Sequence, residues 1–411
     1  SKNIMLPLNG IRVVEVASFL AAPSAAALMA DLGADVIKVE PPRGDTFRGN
    51  AAHMHEGLPI NYRFEVDNRG KRSIALNLAN TFGKQVLKKL VTSADIFVTN
   101  LTAGRTEKYG LDFESLKIIQ PKLIYGHLVG YSSTGIDAER PGFDATAFWG
   151  RSGVMGLMGD KGTPAIQSRS GQGDHPTGLN LLAALLAALR LRDITGEAQR
   201  VEVSLQRTGL WTIATDMQQA LNLPEHQPFR FDRSNPIQPM RGTYETADKR
   251  WLMLTMHNVP KYWPRLSKAL NRQDWEADSR FTTIASLLKN GSSIVAEIEE
   301  IFLSQDLSYW AKKLDDNECI WAPAASLDEV AADPVLRDQG AFQTLLDSEG
   351  SPYEVVSTPF MIDGVDIRAR KRAPLVGENN FDVLQELGFS ESEIADLAEQ
   401  GIFTEDESHG S

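Results

Sequence analysis

The chain has 411 residues, 42% of them apolar and 23% charged, with 32 Gly and 20 Pro. That is the profile of a folded globular protein of two or three domains, and nothing in it points to a disordered, collagen-like or membrane-spanning class. A formal net charge of −12 argues against general nucleic-acid binding, and the single cysteine, Cys319, excludes an internal disulfide and a Cys-rich metal site. The first six residues lack the basic-then-apolar order of a secretory signal, and the longest apolar stretch, around 179–189, is well short of a membrane span. A cytoplasmic protein with no membrane partner is the expectation.

In chain order, residues 11–17 (IRVVEVA) read as a buried strand, 23–32 as the helix after it, and 34–40 (ADVIKVE) as the next strand, with Gly33 closing the helix between them. A strand at 73–78, a helix over 83–92 and a strand at 95–100 repeat the pattern. A helix at 111–120, a strand at 123–129, helices over 143–158 and 174–195, a strand at 200–205 and a helix to about 221 complete the first half. Strands separated by helix-length segments are the signature of a parallel, doubly wound α/β sheet. Residues 224–240 are rich in Pro, Asn, Gln and Arg and mark a boundary. Beyond it come a hairpin over 242–256, helices over 261–270, 284–303 and 307–314, candidate strands at 319–326, 343–346 and 353–358, and an acidic helical tail from 381 to 400.

Three segments are candidates for chemistry. The loop 17–23 (ASFLAAP) joins a strand end to a helix start, where open α/β sheets collect ligands and helix N-termini attract phosphate, although neither GxGxxG nor GxxxxGK[ST] is present. The turn 68–73 (NRGKRS) places Arg69, Lys71 and Arg72 before a strand, which reads either as a solvated turn or as an anion patch. The segment 100–108 adds Arg105 and Lys108 after another strand end, and two such segments on one sheet favour a phosphate-rich ligand. The third is 171–178 (GQGDHPTG), where Asp174 opens the long apolar helix. An Asp there is most simply an N-cap; the same geometry, with the helix dipole holding the carboxylate ionised beside flexible glycines, also suits a nucleophile toward a thioester. No HExxH or other metal-ligand spacing occurs apart from His53-x-His55, so no metal is expected, and there is no GxSxG nucleophile elbow. Cys319 lies in an apolar run and reads as inert.

At these residues the chain resembles the family III CoA-transferases, which include formyl-CoA transferase and carnitine CoA-transferase and are related to α-methylacyl-CoA racemase. The resemblance is carried by residues 6–45, 68–78 (NRGKRSIALNL), 94–116, 121–131, 140–153 (RPGFDATAFWGRSG), 173–205 and the PLVGE ending at Glu378, in family order. It implies a Rossmann-like large domain made of residues 1–224 and a return segment, 331–411, with a smaller α+β domain inserted over 225–330. It also implies two chains interlocked as a homodimer, and no tightly bound cofactor beyond CoA as substrate. The positions matching the family's CoA contacts are Ser18, Leu20 and Ala21, then Leu76 and Asn77, Asn100 and Leu101, and Arg105 or Lys108. Asp174 falls on the family's nucleophilic aspartate. The implied cycle passes the acyl group through an anhydride on Asp174, in a site that excludes water and supplies backbone N–H donors, Gly171 and Gly173 among the candidates.

The departures are specific. Pro41 stands where formyl-CoA transferases carry a basic residue, and 236–242 (PIQPMRG) is not their glycine-rich loop, so an oxalate-type substrate is not expected. Arg241 reads equally as a ligand for a substrate carboxylate and as a surface residue. Racemases place a His before the Asp of their motif, and here the pair is Phe143-Asp144; a phenyl ring takes no proton, which disfavours the two-base racemase alternative. Phe143 then either packs over the cofactor or fills core, and Asp144 either hydrogen-bonds near the acyl group or caps its helix. A non-catalytic CoA-binding protein is a third reading, disfavoured by the intact 173–178 segment. Trp149, Met155, Met158, Phe229, Met240 and Trp251 are candidates for an apolar substrate pocket as well as for plain core.

Overall fold

The computed structural model describes residues 5–49, 58 and 60–405. Runs rich in Val and Ile become strands: β1 (Arg12–Val16), β2 (Asp35–Glu40), β3 (Arg72–Ala75), β4 (Ile96–Thr99), β5 (Ile124–Val129) and β6 (Gln199–Ser204). They pair in parallel in the order β3-β2-β1-β4-β5-β6. The inner strands are buried on both faces, which is why they read as continuous apolar runs rather than as alternation.

Helices cover both faces: α1 (Ala21–Asp31), α2 (Tyr62–Asn68), α3 (Thr81–Thr92), α4 (Ala103–Tyr109), α5 (Phe113–Ile119), α6 (Val154–Leu157), α7 (Asp174–Thr195), α8 (Leu205–Thr212) and α9 (Ala214–Asn222). On one face α1 and α7 pack with Val13, Val36, Ile96 and Ile124; on the other, α3 and α5 pack with Val14, Ile37, Phe97 and Tyr125. The α1–α7 approach depends on small side chains. A Cβ on Gly178 would lie 2.0 Å from Ser24 Oγ, so only glycine lets the first turn of α7 settle on the Ala-rich α1. No helix among the described residues is long and apolar enough to cross a membrane.

By their contacts, the described residues up to 157, then 166–228, and those from 338 onward form one unit; 158–165 and 229–337 form the other. The second unit holds an antiparallel sheet, β7 (Arg241–Glu245), β8 (Trp251–Thr255) and β9 (Trp321–Pro323), in that order. Its helices α10 (Val259–Ala269), α11 (Ile284–Lys289), α12 (Gly291–Phe302) and α13 (Leu307–Asp316) enclose Trp263, Trp275, Phe281 and Trp310. The single helix expected over 284–303 is two, because the turn at Asn290-Gly291 lies against Ile237; a Cβ on Gly291 would come within 2.5 Å of the Ile237 carbonyl oxygen. After α14 (Leu327–Ala332) and α15 (Pro334–Asp338), the chain forms the antiparallel pair β10 (Phe342–Leu346) and β11 (Pro352–Val356), then α16 (Asn380–Glu386) and α17 (Glu391–Glu399). The tail closes on the β3 edge: Asn77 N–H donates to Ile402 O (2.7 Å) and Asn379 N–H to Ser73 O (2.9 Å).

The helix expected over 143–158 is broken. Asp144–Gly150 is a π-helix, Gly153 turns with φ +99°, and only Val154–Leu157 is α-helical. Such bulges frequently sit at functional sites.

Candidate active site

The carboxyl ends of β1, β2, β3 and β4 open onto a cleft of about 810 Å³. It gathers Ser18, Leu76, Asn77, Asn100, Leu101, Arg105 and Lys108 from the sequence-selected positions, with Glu40, Arg43, Asp45 and Tyr109 added. Ser18 and Asn100 lock the rim to the sheet: Ser18 N–H donates to Asn100 Oδ1 (3.2 Å), and Asn100 Nδ2 donates to Ser18 O (2.8 Å). Arg105 and Lys108 are exposed on α4, one helical turn apart. Leu20 and Ala21 do not line the cleft. Leu20 packs toward Phe47 and Phe64, and Ala21 is buried in the first turn of α1.

The basic turn is neither a solvated turn nor an anion patch. Arg69 and Lys71 are 2% and 1% exposed. Arg69 pairs with Asp31 (2.8 Å), and Lys71 Nζ reaches Glu15 Oε1 (2.5 Å), whose other oxygen takes Lys38 (2.6 Å). Arg72 binds Asp35 (2.9 Å) and Glu386 (2.7 Å) at the sheet edge. Three cations in a short run looked like surface; their partners are supplied by strands and helices distant in sequence. Arg43, two residues beyond Pro41, is the cation that sequence reasoning passed over, its only signal being its place just past the end of β2.

Asp174 is the first residue of α7, and its carboxyl accepts no backbone N–H among the described residues, so the N-cap reading fails. Asp144 caps the helix instead. Its Oδ2 accepts from Gly173 N (2.8 Å) and Asp174 N (2.9 Å), while Oδ1 is buried with no donor. The π-helix makes this possible by holding Asp144 buried against the turn, with Phe148 packed so tightly on Gly173 that a Cβ there would come within 2.4 Å of its ring. The Asp174 carboxyl thereby takes no part in the cap, and it is not held in the ordinary ionised range expected from the helix dipole. Burial, and then the adjacent Asp144 carboxyl, push its pKa up to about 7.

Phe143 is exposed and meets Phe19 edge-to-face (5.7 Å between centroids), and Phe19 also lines the cleft. Phe19 holds φ at +64°, a strained conformation for a bulky residue and one that tends to persist at functional sites. Two side chains that sequence reasoning missed adjoin Asp174: His175 places Nε2 2.7 Å from Asp67 Oδ1. Asp67 lies on α2, a helix the sequence reading did not include.

The remaining candidates separate. Trp149 and Met240 are buried in the cores of different units, Met155 packs against the first core, and Phe229 and Met158 are exposed. Trp251 stands on β8 under the guanidinium of Arg233 (5.1 Å). Arg241 is exposed at the start of β7. Cys319 is half-buried, and burial raises its thiol to about 11, which leaves it a poor nucleophile. The His53-x-His55 pair lies outside the described residues.

A family model described as CoA-transferase family III matches residues 8–380. The chain is 33% identical to (R)-2-hydroxy-4-methylpentanoate CoA-transferase of Clostridioides difficile, over 96% of this chain and 99% of that one. It is 31% identical to cinnamoyl-CoA:phenyllactate CoA-transferase of Clostridium sporogenes, over 95% of each. Among solved structures, a CAIB/BAIF family protein from Brucella suis superposes with a TM-score of 0.82 at 30% identity, covering 93% of this chain and 99% of that one.

Proposed function

From the premise that the chain belongs to CoA-transferase family III and is an acyl-CoA:carboxylate CoA-transferase, we propose that Asp174 carries the acyl group as a mixed anhydride. The observation that carries this reading is the division of labour between two carboxylates: Asp144 caps α7, and Asp174 is spared for chemistry. Asp174 attacks the donor thioester carbonyl, the C–S bond breaks, and CoA leaves as thiolate. The acceptor carboxylate attacks the aspartyl carbonyl and expels the donor acid, which departs with an oxygen that came from Asp174. The thiolate attacks the acyl carbon of the new anhydride, and Asp174 is released carrying one acceptor oxygen. Each step trades one activated acyl bond for another, which keeps the thioester's free energy from being lost to water.

In this reading CoA occupies the cleft of the first unit, its phosphates near Arg43, Arg105 and Lys108 and its pantetheine along Ser18, Leu76, Asn77, Asn100 and Leu101. The acyl chain reaches past Phe19 and Phe143 toward Asp174. That aromatic pair supports acids with an apolar side chain, as do the acids named for the two curated relatives. Phe143 also disfavours the racemase chemistry, since it supplies no base. Two copies of the chain form the enzyme: α9 buries none of its residues, and Trp211, Leu221 and Leu223 stand exposed around it, a face that calls for a covering partner.

The test is a pooled assay of several acyl-CoAs with a mixture of free acids, read by mass spectrometry. New acyl-CoA masses that disappear, by at least about a thousandfold in rate, with Asp174→Ala support the reading. No new mass, with deuterium entering the α-carbon in heavy water, contradicts it and favours the racemase class.

A further inference from the structure

The His175–Asp67 pair has no role in the steps above, yet it is built as though one were required. Asp67 is 1% exposed, and His175 Nε2 is its one side-chain partner among the described residues. Its Oδ2 is buried without a donor. The neighbouring cations are committed elsewhere. Lys71 donates to Glu15 (2.5 Å), to Asn68 Oδ1 (2.9 Å) and to the carbonyls of Pro23 (2.9 Å) and Asp67 (2.7 Å). Arg69 is spent on Asp31 (2.8 Å). A carboxylate buried on such terms is costly unless its one partner is charged as well as hydrogen-bonded.

That partner follows the nucleophile directly in the chain. The groups facing the imidazole are Asp67 from α2, Asp144 from the π-helix and Asp174 beside it on α7, all carboxyls. Lys71 and Arg69 act from behind Asp67, and the α7 N-terminus opposes a positive ring. Its Nδ1 edge lies at the turn before the nucleophile, 3.5 Å from where a Cβ of Gly171 would stand. His175 is half exposed, and the hydrogen bond to Asp67, with the charges of all three carboxyls, favours the protonated ring over the opposing effect of its partial burial.

We propose that His175, oriented by Asp67, is a positioning residue for the transfer: its imidazolium favours the carboxylate form of Asp174 and stabilises it each time the anhydride opens. No proton changes hands. When the thiolate attacks the acyl carbon, the bond to the bridging oxygen breaks, its electron pair stays on Asp174, and the returning charge faces the imidazolium. The inference rests on the anhydride reading of Asp174.

The experiment is the pH dependence of kcat/KM for CoA transfer by the full-length enzyme, His175→Gln and Asp67→Asn. His175→Gln is expected to move the acid limb up by about one pH unit, a loss of roughly tenfold on that limb that recovers at high pH. A structural contact alone would lower the whole profile without moving the limb. Histidine carbon-13 NMR of the intact protein, with His175 assigned by the Gln variant, gives a readout free of turnover. Its titration midpoint should lie above that of an ordinary histidine and fall in Asp67→Asn. A limb that stays in place while wild type transfers CoA overturns this proposal alone, as does an ordinary or depressed midpoint for His175. Wild-type protein that transfers nothing overturns the anhydride reading and this role together.

Discussion

Glu15 and Asp174 are carboxylates of one unit, the first fully buried and the second partly, and they respond in opposite directions. Glu15, fully buried on β1, is pushed up by burial, but Lys38 at 2.6 Å and Lys71 at 2.5 Å outweigh that and hold it below the usual range. Asp174 is also pushed up by burial, and its neighbour Asp144 adds to the effect, so it reaches about 7. At the sheet centre Glu15 faces two ammonium groups, and Lys38 also meets Asp45 (2.9 Å), whereas the α7 N-terminus is left with an excess of negative charge. Perturbed, poorly compensated groups mark functional sites more often than balanced ones.

The largest effect is expected from unbalancing the sheet centre. Glu15→Ala leaves two buried ammonium groups without their shared partner, at a cost of about 3–5 kcal/mol. Chemical denaturation should show a midpoint far below wild type, and a near-normal midpoint would mean the network is not what holds Lys38 and Lys71. At the other site the loss should appear in rate rather than stability. Asp144→Ala removes the acceptor for the Gly173 and Asp174 amides and lets the α7 turn shift, lowering kcat roughly ten- to a hundredfold. The KM for acyl-CoA, measured in the same steady-state runs, should change little.

The third contrast is one of sign. Asp174 has a folded value of about 7 against an ordinary 3.8, so its ionisation opposes folding. The penalty is absent below the ordinary value, grows between the two, and is fully present above about 7. Asp174→Asn should therefore raise stability by on the order of 1–2 kcal/mol at pH 8, discounted for partial exposure, and by nothing near pH 4. Thermal melts at the two pH values check it; a uniform gain would point to packing instead. The smallest effect belongs to the exposed cations of the cleft. Arg105→Ala and Lys108→Ala should each raise the KM for acyl-CoA about three- to tenfold with kcat unchanged, an effect that shrinks in high salt.

The strands were legible because central parallel strands are rich in Val and Ile on both faces, even where a buried charge such as Glu15 or Lys38 interrupts the run: residues 11–17, 34–40 and 123–129 each contain the strand observed. The cleft was legible for the same reason, since the carboxyl ends of the strands that line it follow once the strands are placed. Asp144's service to α7 was not, because a cap supplied from thirty residues away leaves no local signal. The basic turn misled because Arg69 and Lys71 find Asp31 and Glu15 only through sheet order. His175 passed unremarked because Asp67 stands 108 residues away, on a short helix capped by Asn61 that apolar periodicity does not mark.

Labelled oxygen separates an acyl group carried on Asp174 from one transferred directly between donor and acceptor. Enzyme turned over with an acyl-CoA and an acceptor acid labelled with heavy oxygen in its carboxylate is digested, and the peptide containing Asp174 is weighed. An anhydride on Asp174 leaves heavy oxygen in its carboxyl, dependent on acyl-CoA and absent from other peptides. Label that reaches the product thioester while Asp174 stays unlabelled would contradict the anhydride and require a transfer that bypasses this residue.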